Sequence, residues 1–77
     1  METLLEILHE LHPETDFVRE QHLIDDGILV SFDIVMLITR IEEAFDVVIP
    51  AKEIRPERFN SAQALYALIQ SLEEQDD

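Results

Sequence analysis

Ser31-Phe32-Asp33-Ile34-Val35-Met36-Leu37-Ile38-Thr39-Arg40-Ile41-Glu42-Glu43-Ala44-Phe45 is the stretch that decides how this chain folds. Ile34, Leu37, Ile38, Ile41 and Phe45 recur every three or four residues and make one apolar stripe along a helix. Asp33 falls in the first turn, where negative charge suits the helix dipole, and Ser31 is placed to cap the start. The helix gives way to a short extended piece at residues 47–49, and Pro50 marks the end.

Ahead of this helix, residues 13–30 lack a sustained helical period. Phe17, Leu23, Ile24, Ile28 and Leu29 are the side chains that can anchor such a segment to a core. Asp25-Asp26-Gly27 reads as a turn, and Gly27 is the only glycine in the chain, placed where positive φ costs least. A loop this long in a small domain is more often functional than filler. Earlier still, Leu4, Leu5, Leu8 and Leu11 share a helical face, and Pro13 disfavours helical geometry at His12, so a first helix should end there.

Beyond Pro50, residues 51–59 can form a short helix or irregular turns, with Ile54 and Phe59 pointing inward. Asn60 and Gln63 have the spacing of a capping arrangement for a last helix, whose stripe is Leu65, Leu68, Ile69 and Leu72. The tail Glu73-Glu74-Gln75-Asp76-Asp77 puts negative charge at a helix C-terminus and is expected to fray. The pattern as a whole predicts an all-α bundle of amphipathic helices in one domain, residues 1–77.

Size and charge narrow the function. Seventy-seven residues bury roughly 60% of the surface the unfolded chain exposes, leaving little room for an enclosed substrate cavity. Eighteen acidic residues against five basic ones give a net charge of −13. Such a surface repels nucleic acid and anionic membranes and attracts basic patches on other proteins. There is no cysteine, hence no disulfide or thiolate metal site. Met1 is followed at once by Glu2, with no basic segment ahead of a long apolar run, and the apolar stretch at residues 34–38 is far too short to span a bilayer. A soluble, cytoplasmic monomer without a transmembrane segment is the expectation.

Few residues invite chemistry. His9 and His12 lie one helical turn apart, but a metal site needs further ligands, and solvent-facing histidines are the simpler reading. Asp25 and Asp26 could hold a cation only loosely, since the spacing of a calcium loop is missing. Neither a glycine-rich phosphate cradle nor a nucleophile elbow is present, so an enzyme is disfavoured. Ser31 remains. It lies where a long loop enters a helix, so its hydroxyl should be exposed yet held by a rigid element, and no base is visibly placed to activate it. That suits modification by another protein, although a serine at such a place is most often only a cap.

The run Leu23-Ile24-Asp25-Asp26-Gly27-Ile28-Leu29-Val30-Ser31-Phe32-Asp33-Ile34-Val35, continuing to Glu42-Glu43-Ala44-Phe45-Asp46-Val47-Val48-Ile49-Pro50, resembles the acyl carrier protein family. That family shows an acidic-Gly turn, a serine at the start of the second helix, then Glu-Glu-x-Phe and Ile-Pro, and the spacing from Ser31 to Pro50 agrees without a gap. The resemblance implies a four-helix bundle with a short third helix and a long first loop. It further implies a 4'-phosphopantetheine arm on Ser31, installed from coenzyme A by a phosphopantetheinyl transferase. On that arm an acyl or aminoacyl group would ride as a thioester, loaded by a ligase and passed to transferases or synthases with basic surfaces. Phe32, Asp33 and Met36 would then meet partners. Phe32 and Met36 would also flank the arm, together with Ile54 and Phe59, for which core packing is the simpler role.

Two positions depart from the family pattern. Val30 stands where the family usually has Asp, a carboxylate that would favour the dipole by about 0.3–1 kcal/mol; Asp33 can supply that effect instead. Met36 and Arg40 make this helix less acidic on one side, which suggests a narrower set of partners. The segment from Pro50 to Ser61 is similar in length to that of the D-alanyl carrier proteins and of carriers served by adenylating ligases. The cargo is left open among an amino acid, a fatty acid and a polyketide intermediate. A reading of another class is an acidic helical adaptor that binds a basic protein without a prosthetic group; a third is a small metal-binding regulator using His9 and His12.

Overall fold

A computed structural model of the chain describes residues 1–74. Its order is α1 (Glu2–Leu11), α2 (Ser31–Phe45), a 3-10 turn (Ala51–Glu53), α3 (Pro56–Phe59) and α4 (Ala62–Glu74). The described residues contain helices and turns only, and the short third helix is a single turn. The bundle expected from the apolar stripes is therefore found. α1 packs against α2 and α4, and α3 against α4.

Each helix buries the face its sequence marks. α1 buries Leu4, Ile7 and Leu8, while Leu5 and Leu11 are only half-buried at the margin, so the stripe is rotated slightly towards Ile7. α1 stops where Pro13 requires: His12 leaves helical geometry at φ −141°, and its N–H makes the last bond, to Leu8 O at 3.0 Å. α2 buries Leu37 and Ile41 fully, with Ile34, Ile38 and Phe45 half-buried beside them. α4 contributes Ala62, Leu65, Leu68 and Ile69.

Phe17, Leu23 and Leu29 enter this core from the first loop, which explains how a long connection can have a fixed path. Gly27 sits at φ +72° with open space where a Cβ would stand, so the backbone conformation, and not crowding, calls for glycine.

Two expectations need correction. Ser31 does not cap α2: Val30 occupies the cap position and Ser31 is the first helical residue. Valine has no oxygen to offer the helix, so capping is one-sided. The Asp33 carboxylate reaches back and accepts the Val30 N–H at 3.2 Å. Nor does Asn60 cap α4. Ser61 does, its Oγ accepting the Ala64 N–H at 3.0 Å, while Asn60 and Gln63 both bind the first loop. Of the acidic tail, Glu73 and Glu74 belong to α4, and residues 75–77 lie outside the described residues.

Candidate functional site

The first turn of α2 gathers the features that can serve chemistry. Ser31 is exposed there, at the exit of a loop pinned to the core by Phe17, Leu23 and Leu29. The 15-residue helix behind it is anchored through Leu37 and Ile41, so the hydroxyl projects from a rigid support. First-turn N–H groups lack helical partners and carry the positive end of the dipole, which favours an anion attached at this place.

Asp33 turns towards α1. Its Oδ2 accepts the Val30 N–H at 3.2 Å and lies 2.9 Å from His12 Nε2. An ionised carboxylate only accepts, so His12 Nε2 carries the hydrogen. Burial pushes the Asp33 carboxyl up, but the His12 hydrogen bond, the Val30 N–H and the His12 charge together outweigh it and hold the group below the usual value of 3.8.

Around Ser31 the surface is apolar. Val30 is 54% exposed, Phe32 71%, Val35 62% and Met36 39%. Phe32, Val35 and Met36 stand three and four residues apart and share one face of the helix. Together they form an exposed apolar patch on an otherwise charged protein.

Beside this ridge lies an apolar groove of about 170 Å³, lined by Ile24, Ile34, Ile54, Arg55, Pro56 and Phe59. Pockets that enclose whole small molecules start at about 300 Å³, so this groove can support part of a flexible group without enclosing it. Phe59 forms its floor as a core residue. Ile54 does not point inward as expected. At 42% exposure it forms the rim, because the backbone leaves the 3-10 turn at this residue and Pro56 restarts the helix two positions on.

Three of the five cations, Lys52, Arg55 and Arg58, cluster around the same segment. Glu53 accepts from Arg55 at 3.2 Å and from Arg58 at 3.1 Å, and Arg55 also reaches Glu57 at 3.1 Å. A wider cleft of about 310 Å³ between α1 and α2 is lined by Thr3, Glu6, Ile7, Glu10, Arg40, Glu43 and Ala44. Arg40 is ion-paired to Glu10 there, about 13 Å along the helix from Ser31.

The structure thus brings Ser31, Phe32 and Met36 together on the exposed first turns and sets Asp33 against α1. The histidine pair does not become a metal centre: among the described residues no group of three or more metal-ligating side chains converges. His9 stacks obliquely on Phe17, ring centroids 5.5 Å apart, and His12 binds Asp33. Sequence reasoning missed His12 and Asn60, whose partners lie 21 and 36 residues away. Neither pairing leaves a local signal in the chain.

Comparison with known proteins gives relatives over most of the chain. A D-alanyl carrier protein of Lactococcus lactis subsp. lactis (strain IL1403) is 35% identical over 65 residues, covering 80% of this chain and 82% of its own. A D-alanyl carrier protein of Streptococcus suis (strain 05ZYH33) is 34% identical over 65 residues, 83% of this chain and 82% of its own. An aminoacyl carrier protein 1 of Bradyrhizobium diazoefficiens is 36% identical over 63 residues, 82% of this chain and 69% of its own. No family profile matches the chain, and no solved structure matches it.

Proposed function

The chain belongs to the carrier protein family that includes the D-alanyl and aminoacyl carrier proteins, and on that premise we propose that it carries an amino acid on a 4'-phosphopantetheine arm at Ser31. The observation that carries this reading is the placement of Ser31: exposed, at the positive end of α2, inside an apolar contact surface. The residues present fit the group. The first-turn N–H groups would favour its phosphodiester, and Phe32, Met36, Ile54 and Phe59 offer apolar surface for the stem of the arm. When bound, the arm supplies a terminal thiol able to hold the cargo as a thioester.

The chain's own part is presentation. Oδ2 of Asp33 is committed to His12 and to the Val30 N–H, and the base that takes the Ser31 proton would come from the phosphopantetheinyl transferase. Phe32, Val35 and Met36 supply the apolar centre of the partner surface, and the charge of −13 steers ligases and downstream transferases that carry basic patches.

The cargo reading rests on the relatives' names together with the groove, which is too small to enclose a long acyl chain. Its test is loading. Protein treated with coenzyme A and a broad-specificity transferase, then with a D-alanine-activating adenylating ligase, should gain alanine that hydroxylamine releases. Loading by a long-chain acyl ligase, with none by amino-acid ligases, would assign a fatty cargo.

A further inference from the structure

The His12–Asp33 contact has a position that packing alone does not require. His12 is the residue at which α1 ends, and Asp33 lies two residues after Ser31. The contact spans 21 residues of sequence at 2.9 Å, with the two side chains 31% and 17% exposed. Asp33 uses the same oxygen, Oδ2, for His12 Nε2 and for the Val30 N–H. α2 has no other side-chain cap, since Val30 has nothing to donate or accept beyond its backbone. Beside the backbone bond from the Ile34 N–H to Val30 O at 3.0 Å, the side-chain restraint on the entry to the Ser31 turn therefore passes through one carboxylate, and His12 fixes where that carboxylate points.

We propose that His12 is a positioning residue for Ser31: by holding Asp33 Oδ2 against the Val30 N–H, it keeps the first turn of α2 closed, so that the Ser31 hydroxyl is presented in one place. The inference rests on Ser31 being the attachment site, and it adds a residue outside the attachment motif. A carboxylate fixed by a neutral or charged donor from a neighbouring helix substitutes for the side-chain cap that Val30 cannot provide. Without His12, Asp33 is free to swing into water. The turn then samples open forms in which Ser31 is not placed for a transferase, which weakens apparent recognition by the fraction of closed turn.

Three proteins test this: wild type, His12→Ala and His12→Gln, whose amide Nε2 can reach the same oxygen. Amide hydrogen exchange should quicken about tenfold at Val30 in His12→Ala, with exchange at Leu37, Ile41 and Leu65 unchanged, and His12→Gln should restore most of the protection. With coenzyme A and a phosphopantetheinyl transferase, His12→Ala should raise the KM for the carrier several-fold while kcat stays near wild type. Equal exchange at Val30 in wild type and His12→Ala overturns the proposal, as does a loss in His12→Ala that His12→Gln fails to restore. If wild-type protein itself takes no arm, the carrier reading fails, and the exchange comparison still decides whether His12 closes the turn.

Discussion

Asn60 Oδ1 accepts the backbone N–H of Ile24 at 2.9 Å, and the same oxygen takes the N–H of Asp25 at 3.1 Å. The Asn60 carbonyl adds the Leu23 N–H at 2.8 Å, and its Nδ2 donates to Asp25 Oδ2 at 3.2 Å. One residue at the junction of α3 and α4 thus clamps the loop that leads into Ser31.

Asn60→Ala leaves two loop N–H groups without their acceptor. It should cost about 1–3 kcal/mol in urea unfolding. Asn60→Asp keeps the acceptor but sets a second carboxylate beside Asp25, so it should also be less stable than wild type, and more so at low salt.

Asp46 closes α2 in the left-handed region at φ 55° and places a carboxylate at the negative end of the helix dipole. Asp46→Gly removes both penalties. It should stabilise the protein by about 0.5–1 kcal/mol, raising Tm by roughly 2–8 °C. The opposite change at the other left-handed position, Gly27→Ala at φ +72°, should lower Tm although nothing clashes with the added carbon.

Asp33 has a lowered pKa, so the folded state holds its proton less tightly than the unfolded chain does. Its contribution is complete above the usual value of 3.8 and disappears as the pH falls through the lower folded value. Asp33→Asn should therefore be less stable than wild type near pH 7, and the gap should narrow as the pH falls below 3.8 and close once the folded-state carboxyl is protonated. The difference between the two proteins is the quantity to measure, because protonating the other carboxylates relieves repulsion in both.

A net charge of −13 on 77 residues loads the folded state with self-repulsion. Raising NaCl from about 0.01 M to about 0.5 M shortens the Debye length from roughly 30 Å to under 5 Å and should raise Tm by several degrees. A fall in Tm over that range would mean that specific ion pairs, such as Arg40 with Glu10, outweigh the general repulsion.

Much of this was legible in the chain because it depends on local order. The stripe from Ile34 to Phe45, the stop at Pro13 and the lone Gly27 each follow from a period or a backbone preference within a few residues, and each is found. The exposure of Ser31 was legible for the same reason, since a loop entering a helix sets it. The finer contacts were not. Asn60 and Gln63 fit a capping pattern by spacing, yet the loop competes for the same side chains and wins them, leaving Ser61 to cap. His12 and Ile54 were misplaced because their surroundings come from elements distant in sequence. A histidine one turn from another suggests a metal only until a carboxylate from α2 reaches it.

The reading stands on Ser31, and intact mass reaches it most directly. Purified protein incubated with coenzyme A and a broad-specificity phosphopantetheinyl transferase should gain the mass of one arm, and Ser31→Ala should gain none. A wild-type protein that stays at its starting mass with several such transferases, or a Ser31→Ala variant that still gains the arm, contradicts the account.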